Sequence, residues 1–150
     1  MAQALAQIIV HIVFSTKNRE PTLADNLRDD LHAYIGAIIE KYKGKLLTAG
    51  SVPNHIHLLV AHPRTCSTSE LVKQIKLGSS FWLKMKSSKY SNFYWQRGYG
   101  IFSISPSHRT NLERYITNQA EHHREISFEQ EYVRLLDKYE ITYDERYIWD

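Results

Sequence analysis

Two imidazoles flank one apolar residue in His55-Ile56-His57, inside a β-branched and leucine-rich run at residues 55–62 (HIHLLVAH) that reads as a strand. Side chains alternate along a strand, so His55 and His57 project to one face about 7 Å apart at Cα, where both can reach one metal ion. Two ordinary histidines on a half-exposed strand would have the same spelling, and the pair alone is not specific. A second group comes from Tyr115-Ile116-Thr117-Asn118-Gln119, which sets a phenol and a carboxamide one helical turn apart on one face. A phenol can attack a phosphodiester, but with an ordinary pKa of about 10 it needs a metal-polarised phosphate and a proton acceptor nearby. Gln119 is neutral, so with two neutral imidazoles it would leave an ion's charge undiminished for the phosphate, a job that suits Mg²⁺ or Mn²⁺. The competing role for Tyr115 is packing, since the chain has 10 tyrosines.

The elements that must position these groups follow from local pattern. Residues 7–16 (QIIVHIVFST) form a buried strand bounded by polar Lys17 to Glu20 and Pro21. Thr22 with Asp25 makes a capping pattern for a helix whose apolar positions run from Leu23 to Tyr42 and stop at Gly44. Residues 45–52 (KLLTAGSV) and 55–62 flank Pro53-Asn54, turn chemistry for an antiparallel hairpin. Ser67 and Glu70 make a capping box for a second helix reaching about Lys86. A strand at residues 101–105 (IFSIS) follows, then a third helix over about 109–123 and a fourth over about 127–139. The order β-α-β-β-α-β followed by helices predicts an α+β, ferredoxin-like fold. Its split βαβ, RRM-like, antiparallel four-stranded sheet has helices on one face, and its C-terminal helical extension carries the tyrosine. The other sheet face is left for nucleic acid, a catalytic site or a dimer contact.

The chain has 150 residues, 43% of them hydrophobic, which fills one core, so residues 1–150 read as a single domain. With 23% charged residues, 6 Gly and 4 Pro, it is neither disordered nor low-complexity. One cysteine, Cys66, excludes an internal disulfide and a thiolate zinc site, and points to a reducing compartment. Residues 6–14 are too short for a membrane span and lack a preceding basic segment, so a cytoplasmic protein is expected. The net charge of +3 leans toward an anionic partner without naming one.

Pro53-Asn54-His55-Ile56-His57-Leu58, Tyr115 to Gln119, the opening His11-Ile12-Val13-Phe14-Ser15-Thr16-Lys17 and Trp95-Gln96-Arg97-Gly98-Tyr99-Gly100 together closely resemble the HUH single-tyrosine transposases. These are the proteins of the smallest bacterial insertion sequences, the insertion-sequence-two-hundred-like group, and the likeness covers nearly the whole chain. The resemblance implies a DNA transposase that recognises hairpins near the element's ends and cuts single-stranded DNA. It implies Tyr115 as nucleophile, giving a 5′-phosphotyrosine link and a free 3′-OH, with His55, His57 and Gln119 as ligands of Mg²⁺ or Mn²⁺. It further implies a homodimer with composite active sites, in which the tyrosine helix of one chain completes the histidine site of the other. No ATP is called for, and no Gly-rich phosphate loop is present.

For DNA contact, Lys73, Lys76, Lys84, Lys86 and Lys89, with Arg97, cluster on the second helix and the loop after it. A solvated helix face is the competing role for each lysine singly. Tyr90, Phe93, Tyr94 and Trp95 nearby could stack on unpaired bases, or, Trp95 above all, pack in the core. His11 on the first strand is expected to be packed or to stand behind the metal ligands. His122 and His123, on the general helix face of Gln119, are reserve ligands or bases, and His32, His62, His108 and Cys66 carry no assigned role. The reading from another class is a non-catalytic hairpin-binding module, which predicts binding without scission and indifferent to Mg²⁺.

Overall fold

A computed structural model of the chain describes residues 2–119 and 125–150. In order, the elements are β1 (Ile9–Ser15), α1 (Asp25–Lys41), β2 (Lys45–Val52), β3 (His55–Ala61), α2 (Thr68–Lys86), β4 (Gly100–Ile104), α3 (Arg109–Thr117) and α4 (Phe128–Lys138). The four strands form one antiparallel sheet in the order β2-β3-β1-β4, the ferredoxin-like arrangement expected of a split βαβ chain. Pro53-Asn54 closes the β2–β3 hairpin and sets Val52 opposite His55.

One sheet face carries Val10, Ile12 and Phe14 of β1 and Ile56, Leu58 and Val60 of β3. They pack against Leu31, Ile35 and Ile39 of α1 and Leu71, Val72, Ile75 and Leu83 of α2. The other face is not open. Val13 and Phe102 lie under Phe128, Tyr132 and Leu136 of α4, and Ile9 and Leu59 lie under Ile116 of α3. β1 is therefore buried along its whole length on both sides, which is why it reads as a continuous apolar run rather than an alternating one. α3 sits so close to β2 that a Cβ on Gly50 would stand 2.0 Å from the Ile116 carbonyl oxygen. Glycine at 50 is what lets the tyrosine-bearing helix dock.

Helix ends follow sequence rules where the cap is local. Ser67 Oγ accepts from Glu70 N–H at 3.1 Å, although the Glu70 carboxylate turns to Gln74. Ser127 and Gln130 form a full reciprocal capping box at α4. The Thr22/Asp25 pattern does not cap α1. Helix α1 instead begins after Ala24, whose N–H donates to the Tyr90 hydroxyl at 3.0 Å while that hydroxyl donates to Thr22 O at 2.9 Å. At the other end the left-handed residue is Lys43, φ 71°, and not Gly44. Gly44 is needed for space, since a Cβ there would stand 2.9 Å from Ala61 O and from Pro63 Cδ. α3 ends at Thr117, short of His123. The Thr117 hydroxyl donates back to Glu113 O and Arg114 O, both at 3.1 Å, and Asn118 leaves helical geometry at ψ 28°. His122 and His123 lie outside the described residues.

Candidate active site

The strand period places His55 and His57 of β3 on the face covered by α3 and α4, and both are wholly buried. Their rings stand 5.2 Å apart. Helix α4 aims Glu131 at them: its Oε1 is 2.8 Å from His57 Nε2 and 3.4 Å from His55 Nε2. The donor atoms of His55, His57 and Glu131 all lie within 4.8 Å of one another, a spacing that can hold a metal ion. Asn54 Oδ1 is 2.7 Å from His55 Nδ1, so a neutral His55 donates there and turns the lone pair of Nε2 toward the carboxylate. Two acceptors facing one another in a buried site suit a cation between them.

Tyr115 reaches the same carboxylate. Its hydroxyl donates to Glu131 Oε2, and its ring stands 6.0 Å from the His57 ring. Burial, the hydrogen bond to Glu131 and the Glu131 charge hold the phenol well above the usual tyrosine pKa. Gln119, buried one turn on, donates from Nε2 to Tyr115 O at 3.2 Å. Of the residues expected at the site, then, His55, His57 and Tyr115 converge on one point. That point is Glu131, which the sequence reading did not single out. A signal was present: Glu131 sits in the apolar stripe Phe128, Tyr132, Leu135 and Leu136 of an amphipathic helix, where a carboxylate needs a partner.

Behind His57 stands His11 of β1, its Nε2 2.7 Å from His57 Nδ1. Burial and the neighbouring His57 push its pKa well below that of a free imidazole. His11, Tyr115 and Glu131 all border a cavity of about 850 Å³ that also takes in Arg134 and Lys138 of α4.

The lysines divide. Lys73, Lys84, Lys86 and Lys89 are exposed, as is Arg97. Lys76 donates to Gln96 O, Arg97 O and Gly98 O at 2.8, 3.0 and 2.7 Å, which uses all three of its N–H donors on the loop before β4. The aromatics divide as well. Tyr90, Phe93 and Trp95 are core, with Trp95 Nε1 donating to Ser79 Oγ at 2.9 Å. Tyr94 is exposed, with the ammonium groups of Lys84 and Lys17 over its ring at 4.9 and 5.5 Å. Among the described residues no helix is long and apolar enough to cross a membrane.

The four-stranded antiparallel α+β fold agrees with the comparisons to known proteins. The family model described as IS200-like transposase matches residues 4–119, and the chain belongs to that family. It is 23% identical over 118 residues to the ISDra2 transposase TnpA of Deinococcus radiodurans, covering 75% of this chain and 84% of that one. The crystal structure of a protein assigned as a transposase from Deinococcus radiodurans R1 superposes with a TM-score of 0.59 at 22% identity, over 79% of this chain and 98% of that one. A REP-associated tyrosine transposase bound to a REP hairpin superposes with a TM-score of 0.60 at 16% identity, over 82% and 74%. The family match ends at Gln119, so α4 and Glu131 lie beyond it.

Proposed function

We propose that this transposase is a metal-dependent, single-tyrosine DNA strand transferase that cuts and rejoins single-stranded DNA beside hairpins at the ends of a mobile element. The observation that carries the reading is the convergence of Tyr115, His55 and His57 on one buried carboxylate. Tyr115 supplies the nucleophile. Its proton passes to Glu131 Oε2 as Oη bonds to phosphorus, the bond from phosphorus to the 3′ oxygen breaks, and that oxygen leaves as a 3′-OH on taking up a proton. The product is a 5′-phosphotyrosine link, which a later 3′-OH attacks in the reverse sense to rejoin strands.

Two imidazoles and one carboxylate fit Mn²⁺ or Mg²⁺, and the bound ion would neutralise charge developing on the phosphate. His55 and His57 are the ligands in this proposal. Two residues compete to be the third: Gln119, which the family resemblance implies, and Glu131, whose Oε1 is within reach of both imidazoles. The geometry favours Glu131. A carboxylate cancels one more unit of the ion's charge than an amide, and it binds hard cations more tightly. We place the phosphate contacts on Lys73, Lys84, Lys86, Lys89 and Arg97, with Lys76 holding the loop that carries Arg97. Exposed Tyr94 offers a stacking surface among them. The proposed substrate class is a single strand with hairpins near its ends. Joining two ends needs two nucleophiles, so the working unit is proposed as a homodimer of this one-domain chain.

Labelled single-stranded DNA from the flanks of the gene, incubated with Mg²⁺ or Mn²⁺, is expected to give a protein–DNA adduct stable in a denaturing gel. The adduct should vanish with EDTA and in Tyr115→Phe, which should still bind hairpin DNA. Hairpin binding without any adduct, indifferent to metal, would replace this reading with the non-catalytic binding module.

A further inference from the structure

We infer that His11 is a positioning residue for the metal, fixing which nitrogen of His57 faces the ion. The inference rests on the reading of His55 and His57 as ligands. His11 lies on the central strand β1, 1% exposed, on the same sheet face as His57. Its ring stacks on that of His57 at 5.0 Å and 23°, with Phe102 of β4 against it at 6.0 Å. The His57 ring is thereby pinned at both nitrogens, Nδ1 by His11 Nε2 at 2.7 Å and Nε2 by Glu131 Oε1 at 2.8 Å.

A neutral imidazole that ligates through Nε2 must carry its one proton on Nδ1 and is held in orientation by whatever accepts that proton. Carboxylates, carbonyl oxygens and waters usually do so; here the group in place is a second imidazole. An imidazole can accept only if it is neutral and keeps its own proton on the far nitrogen. His11 Nε2, 2.7 Å from His57 Nδ1 on a stacked and buried ring, is the atom placed to accept the His57 proton. Without an ion, an ionised Glu131 implies the opposite donor direction. Glu131 as a carboxylate can only accept, so the His57 proton sits on Nε2, and His11 Nε2–H donates to His57 Nδ1. Among the described residues His11 Nδ1 has no hydrogen-bond partner, and it is a bare acceptor in that state, a cheaper orphan than a buried N–H. Ion binding at His57 Nε2 therefore reverses both rings together. Each keeps one proton, moved from Nε2 to Nδ1.

The test uses the full chain with Mn²⁺ as the affinity probe and diamagnetic Mg²⁺ for ¹⁵N NMR of the imidazoles. His11→Phe keeps the packing volume and removes the acceptor, and is expected to weaken Mn²⁺ binding about 10- to 100-fold. His11→Gln, whose amide can accept at a similar reach, is expected to recover most of that loss, and it stands in if His11→Phe does not fold. The NMR spectrum of the wild type should move the His57 proton from Nε2 to Nδ1 when Mg²⁺ is added. Wild-type affinity in His11→Phe, no recovery in His11→Gln, or an unmoved tautomer would each overturn the role of His11 alone. Absence of Mn²⁺ binding by the wild type would overturn the ligand reading and this inference with it.

Discussion

Tyr115 donates a hydrogen bond to Glu131, and the two are 16 residues apart on different helices. The carboxylate both accepts the phenol's proton in a hydrogen bond and, by its charge, makes a phenolate beside it costly. In the proposed reaction, a phenol so held is quiet until positive charge enters the site. Glu131→Gln removes the charge while keeping the shape. The Tyr115 pKa should then fall, yet stay above about 10, because burial is the largest cause of its elevation and is unchanged. Phenolate absorbance on alkaline titration, differenced against Tyr115→Phe, reads this directly. The same variant should weaken Mn²⁺ binding about tenfold or more, as ligand loss does, while Gln119→Ala changes it little. The reverse ranking would make Gln119 the third ligand.

Elements position these residues through two close approaches. Gly50 allows the backbone of α3 to rest on β2, and Gly50→Ala forces the helix to lift away from the Ile116 carbonyl oxygen. The expected cost is about 1–3 kcal/mol in urea unfolding, the usual range for overpacking, together with loss of DNA adduct as Tyr115 leaves Glu131. Retained stability and activity would mean that α3 is seated some other way. Lys76 ties α2 to the loop before β4 through three carbonyl oxygens. Burial lowers its pKa to about 8. An unfolded lysine titrates near 10.4, so between about pH 8 and 10 the unfolded chain binds more protons than the folded one, and stability attributable to this group rises with pH. Lys76→Met should remove that rise, which unfolding curves across the window will show as a flatter profile than the wild type's.

At the scale of the whole molecule, the sheet is filled on both faces, and the last segment of the chain secures the second filling. The Trp149 ring packs near Phe128 and Tyr132 of α4, the Arg19 guanidinium lies over Trp149 at 5.3 Å, and Asp150 O accepts from Gly98 N–H at 2.9 Å. α4, and with it Glu131, is anchored to the same chain that carries the histidines. Tyr115 and His57 likewise meet within one chain. A mixture of His57→Ala and Tyr115→Phe proteins should therefore yield no DNA adduct even if the two form mixed dimers. Restored adduct would show that the tyrosine acts across the dimer.

What the residues declared by themselves was local. The period of two along β3 puts His55 and His57 side by side, Pro53-Asn54 turns the hairpin, and Ser67 and Ser127 start their helices, because each rule acts over two to four residues. The order of the elements then leaves few sheet topologies open, and the ferredoxin-like order is the one observed. Only the tertiary structure decided the rest. Glu131 meets His57 across 74 residues, Tyr90 holds the backbone just before α1 from 66 residues away, and Lys76 spends its donors on a loop about 20 residues on. No spacing announces such pairs. They form because a buried carboxylate, amide or ammonium must find a partner wherever packing has brought one within reach.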